Sequence, residues 1–184
     1  MARLSKASRQ RGFTLIEAMI SIVILSFGVL SLAVVYSQGL FYANVTQIDY
    51  IAEKKAEEAV ETIFTARDTG LLTWAQIQNA GGSTNGVFLV GPQALLDPGP
   101  DGLVGTADDD ATLPDSVIVG PGPDGVLGTA DDDKTNLNPW MTRTIQIQDV
   151  SGESNLRQVT VTINYTVGRS HRMFTLVSYI SAFA

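Results

Sequence analysis

Residues 11–35 read RGFTLIEAMISIVILSFGVLSLAVV, and they constrain the chain more than any other stretch. A basic leader runs into a Gly-Phe junction and then a long apolar run interrupted once, early, by Glu17. Residues 18–48 carry no formal charge. At about 1.5 Å of rise per residue, a helix over residues 18–35 spans roughly 27 Å, close to the hydrocarbon thickness of a bilayer. The run holds many good helix formers and no proline. It is apolar on every side, so it belongs in lipid or in a packed bundle of helices. The leader carries Arg3, Lys6, Arg9 and Arg11 and no acid, which keeps the N-terminus cytoplasmic under the positive-inside bias. Glu17 is costly inside such a helix and calls for a partner.

The junction Gly12-Phe13-Thr14-Leu15-Ile16-Glu17 resembles the class III signal sequence of type IV pilins and type II secretion pseudopilins. The resemblance implies cleavage between Gly12 and Phe13 by a prepilin peptidase on the cytoplasmic side, followed by N-methylation of Phe13. An ordinary secretory signal puts its cleavage site after the apolar run. Here the site precedes it, so the helix stays in the mature protein. The resemblance also implies that Glu17 pairs with the Phe13 amine of a neighbouring subunit, where a dry filament core leaves the two charges unscreened.

The 184 residues suffice for one domain of ordinary size and an anchor. The formal net charge is −7. The first twelve residues hold four of the twelve bases and none of the nineteen acids, so without them eight bases face nineteen acids, a net −11. So acidic a remainder makes nucleic acid an unlikely partner, because phosphate contacts need Lys and Arg. Absence of cysteine excludes disulfides, a thiol nucleophile and thiolate metal sites. Many major pilins close a C-terminal loop by a disulfide and often carry proline where Val34 stands. The absence of that proline points to a minor pilin or a pseudopilin.

The chain divides into a leader (1–12), a transmembrane or filament-core helix (13–36), its amphipathic continuation (37–69), a loop-rich region (70–140) and an antiparallel β-meander (141–184). In the continuation, Ile48, Ile51, Ala52, Ala56, Ala59, Val60 and Ile63 recur at three- and four-residue spacing, with the charges on the other face. Gly28 lowers helix stability locally and is a candidate bend. Gly70 suits a left-handed end to the helix. Around Trp74 a helical turn is expected, and 87–90 and 117–119 are candidate short strands. Gly81, Gly82, Ser83, Asn85 and Gly86 form a flexible connection. The alternation of 142–149, 157–167 and 172–180 predicts three strands, with 150–155 and 168–171 as turns. The fold class expected is α+β, a long N-terminal helix packed on a C-terminal antiparallel sheet, as in pilins. The last third also looks like PilV-type minor pilins.

Two copies of one motif lie in the middle: PGPDGLVGTADDD at 98–110 and PGPDGVLGTADDD at 121–133. Calcium takes six to eight oxygens from carboxylates, carbonyls and water, and glycine permits the tight turn such a loop needs. Asp97, Asp101, Gly102 and Asp108 fall at positions 1, 5, 6 and 12 of an EF-hand count. Gly99 stands at position 3, Gly120 opens the second copy, and no flanking helices are evident. The motif therefore resembles the wider group of Asp/Gly calcium loops of exported bacterial proteins. Candidate ligands are Asp97, Asp101, Asp108, Asp109, Asp110, Asp124, Asp131, Asp132 and Asp133. The plain alternative is a solvated acidic turn that stays out of any sheet.

Nothing reads as an enzyme. His171 is the single histidine and reads as a surface turn residue; without a second histidine or a cysteine there is no His/Cys zinc set. No base stands at a recognisable spacing from a serine. Arg169, His171 and Arg172 read as an exposed turn. The function expected is a type IV pilus subunit, a minor pilin that assembles through its helix. The alternatives are a type II secretion pseudopilin, a major filament subunit, and a membrane-anchored calcium-binding module that never polymerises. The partners implied are other pilin subunits, the prepilin peptidase, the inner-membrane assembly machinery and, before assembly, lipid. The implied location is the inner membrane before assembly, then an extracellular pilus or a periplasmic pseudopilus.

Overall fold

The computed structural model describes residues 12–81 and 85–183. The basic leader residues Arg3, Lys6, Arg9 and Arg11, and Gly82 and Ser83 of the expected connection, lie outside them. The chain divides into two units, Met1–Val45 and Thr46–Ala184. One helix, α1 (Leu15–Asp68), contributes to both.

In the first unit every described residue through Asn44 is exposed. The helix runs unbroken through Gly28 and Gly39, so the chain does not melt at Gly28. The hydroxyls of Ser21, Ser26 and Ser31 donate to the carbonyls of Glu17, Ile22 and Phe27 at 2.8, 2.7 and 2.8 Å. Each polar side chain is thereby satisfied within its own helix, which suits an apolar surrounding that offers no other partner.

In the second unit the helix buries Ala52, Ala56, Ala59, Ile63 and Ala66, a stripe with alternating spacings of four and three. Four of the five are alanines. Ile48, Ile51 and Val60 of the expected stripe are half-buried. Helix α1 stops where Gly70, at φ 70°, donates its N–H to the Arg67 carbonyl at 3.0 Å. A short turn follows, its Ile77 N–H returning to the Thr73 carbonyl at 3.3 Å.

The main sheet is antiparallel, in the order β1 (Gln93–Ala94), β6 (Met141–Val150), β7 (Glu153–Val167), β8 (Ser170–Ser181). The three expected strands are there, with β1 added at the edge of β6. Beside β1, the Asn79 side chain completes that edge: it donates to the Ile145 carbonyl at 2.8 Å and accepts from the Ile147 N–H at 2.7 Å. Alternation sends Met141, Ile145, Val159, Val161 and Ile163 into the core. Fully burying such a side chain contributes about 1.5–3 kcal/mol. The turn between β7 and β8 is only Gly168-Arg169, because Val167 already pairs with Ser170. Ser170 and His171 therefore lie in a strand and not in the turn expected for them, and Arg172 lies in the strand expected to begin there.

The loop-rich middle has more order than its sequence announces. Strands β2 (Leu96–Asp97) and β3 (Asp110–Pro114) form one two-stranded sheet, and β4 (Ser116–Gly120) and β5 (Asp133–Asn136) another. Each copy of the motif is the tip of one of these hairpins. Asp97 pairs with Asp110 and Gly120 with Asp133, in both cases next to a register shift. The segment 117–119 is thus a strand, whereas 87–90 contributes only an isolated bridge from Phe88 to Asn79.

Candidate functional site

The N-terminal junction belongs to the first unit. Thr14 precedes the first helical residue, and its Oγ1 accepts the Glu17 N–H at 3.3 Å, while its carbonyl accepts the Ala18 N–H at 3.1 Å. Thr14-Leu15-Ile16-Glu17 has the spacing of a capping box, whose threonine satisfies one of the unpaired donors of the first turn. This cap was missed from sequence; its signal is the T-x-x-E spacing. Glu17 is exposed in that first turn, where the positive end of the helix favours a carboxylate. Among the described residues no ion pair reaches it. Gly12 and Phe13 precede the helix and are exposed, so the bond between them is outside regular structure. From Leu15 the helix is long and apolar enough to cross a membrane, and none of its most apolar window is buried.

Residues 7–33 match the family model described as the prokaryotic N-terminal methylation motif. The chain carries a prokaryotic methylation motif at its N-terminus. That match supports a type IV pilin-like or pseudopilin subunit, and it implies processing by a prepilin peptidase and assembly with other subunits in general. The motif and the apolar helix are consistent with membrane anchoring. No curated protein and no solved structure matches the chain.

The twin loops belong to the second unit and share a skeleton. In the first, the Asp101 carboxylate accepts the Leu103 N–H at 2.8 Å and that of Asp109 accepts the Gly105 N–H at 2.8 Å. In the second, Asp124 accepts the Val126 N–H at 2.8 Å and Asp132 the Gly128 N–H at 2.7 Å. The chain closes so tightly at Gly99 and Gly122 that an added Cβ would stand 2.3 and 1.9 Å from the carbonyl oxygens of Asp108 and Asp131. In the second loop the backbone N–H of the fourth motif residue, Asp124, donates to the carboxylate of the eleventh, Asp131, at 3.2 Å. Partial burial, offset in part by the Leu103 N–H, and the neighbouring carboxylates hold the Asp101 carboxyl above the usual carboxylate range. The Thr129 hydroxyl and the Asp124 N–H hold Asp131 below it. Asp97, Asp110 and Asp133 lie instead in the strands that carry the tips. Among the described residues no three or more acids or histidines stand together at metal-holding spacing.

The environments of the two loops differ. In the first, Leu103 and Val104 are 2% and 1% exposed. In the second, Val126 and Leu127 are 56% and 65% exposed.

Two buried arginines complete the head. Arg157 donates to Asp149 Oδ1 at 2.8 Å and to the Ile77 carbonyl at 2.9 Å, and it covers the Trp74 ring at 4.1 Å. Arg143 is 1% exposed, and none of its three side-chain nitrogens has a hydrogen-bond partner. Arg143 was not singled out from sequence; it shares the parity of Ile145 and Ile147, and that was the available signal.

Proposed function

We propose that this chain is a minor pilin of a type IV pilus, stored in the inner membrane with its N-terminus cytoplasmic and then packed into a filament. The prepilin peptidase cuts between Gly12 and Phe13 and the new amine is methylated. The observation that carries this reading is Glu17, the lone acid in the exposed apolar part of α1 that precedes Asp49, placed in the first turn behind a Thr14 cap. Cleavage creates a cationic amine beside the positive end of a helix, an arrangement that costs energy. A carboxylate at Glu17 of a neighbouring chain offsets that cost and sets the stagger between helices. Apolar burial against like helices supplies the drive. The role is one of assembly and display, without catalysis, and its partners are other pilin subunits and the inner-membrane assembly machinery.

The test is Glu17→Ala in cells that make the filament. The variant should be cleaved as the parent is, yet be depleted from sheared surface fibres and accumulate in the inner membrane. Incorporation of the variant at the parent's level would overturn the pairing.

A further inference from the structure

The main sheet has two edges, and the chain treats them differently. At the β6 edge, β1 pairs with Thr142 and Arg143, and the Asn79 side chain satisfies the next backbone groups. The other edge is β8, the last strand in the order, and among the described residues no strand lies beyond it. β8 pairs with β7 from Ser170 to Ser181 in one unbroken register, with no bulge to twist the edge away.

The hydrogen bonds at its end show which backbone groups face outward. The Ala182 N–H donates to the Asn155 carbonyl of β7 at 2.8 Å, in register with the strand, so the even-numbered residues of β8 bond to β7. The odd-numbered ones point away, and the Ser181 carbonyl accepts from Arg67 of α1 at 3.1 Å. Among the described residues, the N–H and C=O groups of His171, Met173, Thr175, Val177 and Tyr179 are left without a partner. An exposed edge of this kind is ordinarily blunted by lysine, proline or a bulge. From Met173 on, β8 has none of them. Residues 173–184 hold no charged side chain, in a chain of net charge −7. Met173, Val177 and Tyr179 are exposed along this edge, and Phe174 and Leu176 are half-buried. Backbone donors and acceptors in such a row are satisfied together only by another extended strand. The absence of charge lets that strand come from a second, equally acidic copy.

We propose that β8 is a self-pairing edge: two copies of this chain join β8 to β8, antiparallel about Thr175, into a continuous sheet with four strands from each copy. A two-fold centred there matches the free residues to one another, Met173 to Val177, His171 to Tyr179 and Thr175 to itself. On the inner face it sets Phe174 against Leu176 of the second copy. The same two-fold reverses every direction in the plane of the sheet, so the stretch of α1 packed on the sheet runs opposite ways in the two copies. Under the filament reading the mate therefore belongs to a different filament and is not the neighbour within one. The pairing itself rests on the head alone, so it and the filament reading stand or fall separately.

The chain has no cysteine, so a single one reports the pairing. The experiment uses the full-length chain in detergent carrying Thr175→Cys or Gln146→Cys, both exposed on the outer face of the sheet, under mild oxidation. Hydrogen-bonded antiparallel partners have Cα atoms about 5.5 Å apart, within disulfide range. Position 146 would stand five strand spacings from its counterpart, roughly 24 Å or more. Thr175→Cys should become a disulfide-linked dimer, and Gln146→Cys should not. In sedimentation the parent should show a monomer–dimer equilibrium. Thr175→Lys, which sets like charges opposite each other, should raise the dissociation constant at least about tenfold with unchanged circular dichroism. If Thr175→Lys fails to fold, the cross-linking pair decides alone. A parent that stays monomeric, leaving the edge to a strand of a different protein, would overturn the proposal. So would equal cross-linking at both positions, or a dimer indifferent to Thr175→Lys and thus held by the apolar helix.

Discussion

The Tyr165 hydroxyl of β7 donates to the Asp49 carboxylate of α1 at 2.7 Å. Asp49 also accepts from Arg172 Nη1 at 2.6 Å, and Arg172 is the cross-strand partner of Tyr165 on β8. One helix carboxylate thus holds two neighbouring strands. Farther along, Arg67 donates to the Ser181 carbonyl at 3.1 Å. The helix is therefore fixed to the sheet at two polar points, with the alanine stripe between them.

The tie makes alkaline stability depend on Tyr165. Burial, then the hydrogen bond to Asp49, pushes its hydroxyl up from 10.0 to about 12. The protonated phenol is the form that the fold favours. Its stabilisation is fully present below pH 10, where the unfolded phenol titrates, and is lost as pH rises through about 12. Tyr165→Phe should melt lower at neutral pH, by about 1.5–3 kcal/mol of stability for a hydrogen bond to a charged acceptor. The same variant should show a flatter decline from pH 10 to 12. Thermal melts of both proteins across that range check this; parallel curves would show that the phenol does not titrate with folding.

Removing the carboxylate should cost more than removing its cation. Asp49→Ala leaves the Tyr165 hydroxyl buried without its partner, at a cost of about 1–3 kcal/mol. Arg172→Ala breaks only a half-exposed ion pair, worth about 0–1 kcal/mol after solvent screening. Denaturant melts of the two variants should rank in that order.

How much of this was legible in the sequence follows from how each element is held. The charge-free run and the three- and four-residue spacing of the alanines name α1, because a helix must bury one face or lie in lipid. The alternation from Val159 to Val167 names β7, because it has one buried and one exposed side. Of the hairpins around the repeats only the strand at 117–119 was expected, and the others were missed for the converse reason. Residues 133–136 are all exposed and 110–114 nearly so, and strands without a buried face carry no alternation. The difference between the loops was not legible either. Their sequences differ only by the swap of Leu103-Val104 for Val126-Leu127, so what separates them is where each hairpin lies in the head. The Asp49–Tyr165 tie joins residues 116 positions apart, and no local spacing marks it.

Gly122 is irreplaceable for a steric reason. A Cβ there would stand 1.9 Å from the Asp131 carbonyl oxygen, which is backbone and cannot swing away. Gly122→Ala should therefore open the second loop, at a cost of about 1–3 kcal/mol, typical of overpacking. Gly125→Ala is strained by its positive φ of 72° but meets no neighbouring atom, so it should cost less. Melting temperatures of the pair separate steric closure from backbone preference.

Arg143 should be a net burden on stability. Burial disfavours its charged form and pulls its pKa below the ordinary arginine value, while Glu58, Asp109 and Asp115 offset this only at a distance. Arg143→Met keeps much of the volume and removes the unpaired guanidinium, and should leave stability unchanged or raise it by about 1–4 kcal/mol. A clear fall in melting temperature would mean that the guanidinium is compensated in the folded head.

The central claim is that the apolar helix is the N-terminus of a processed filament subunit, and the mass of that N-terminus tests it most directly. Mass spectrometry of protein taken from the cell envelope should find a chain that begins with N-methylated Phe13. A chain that begins at Met1, with the Gly12–Phe13 bond intact, would contradict it.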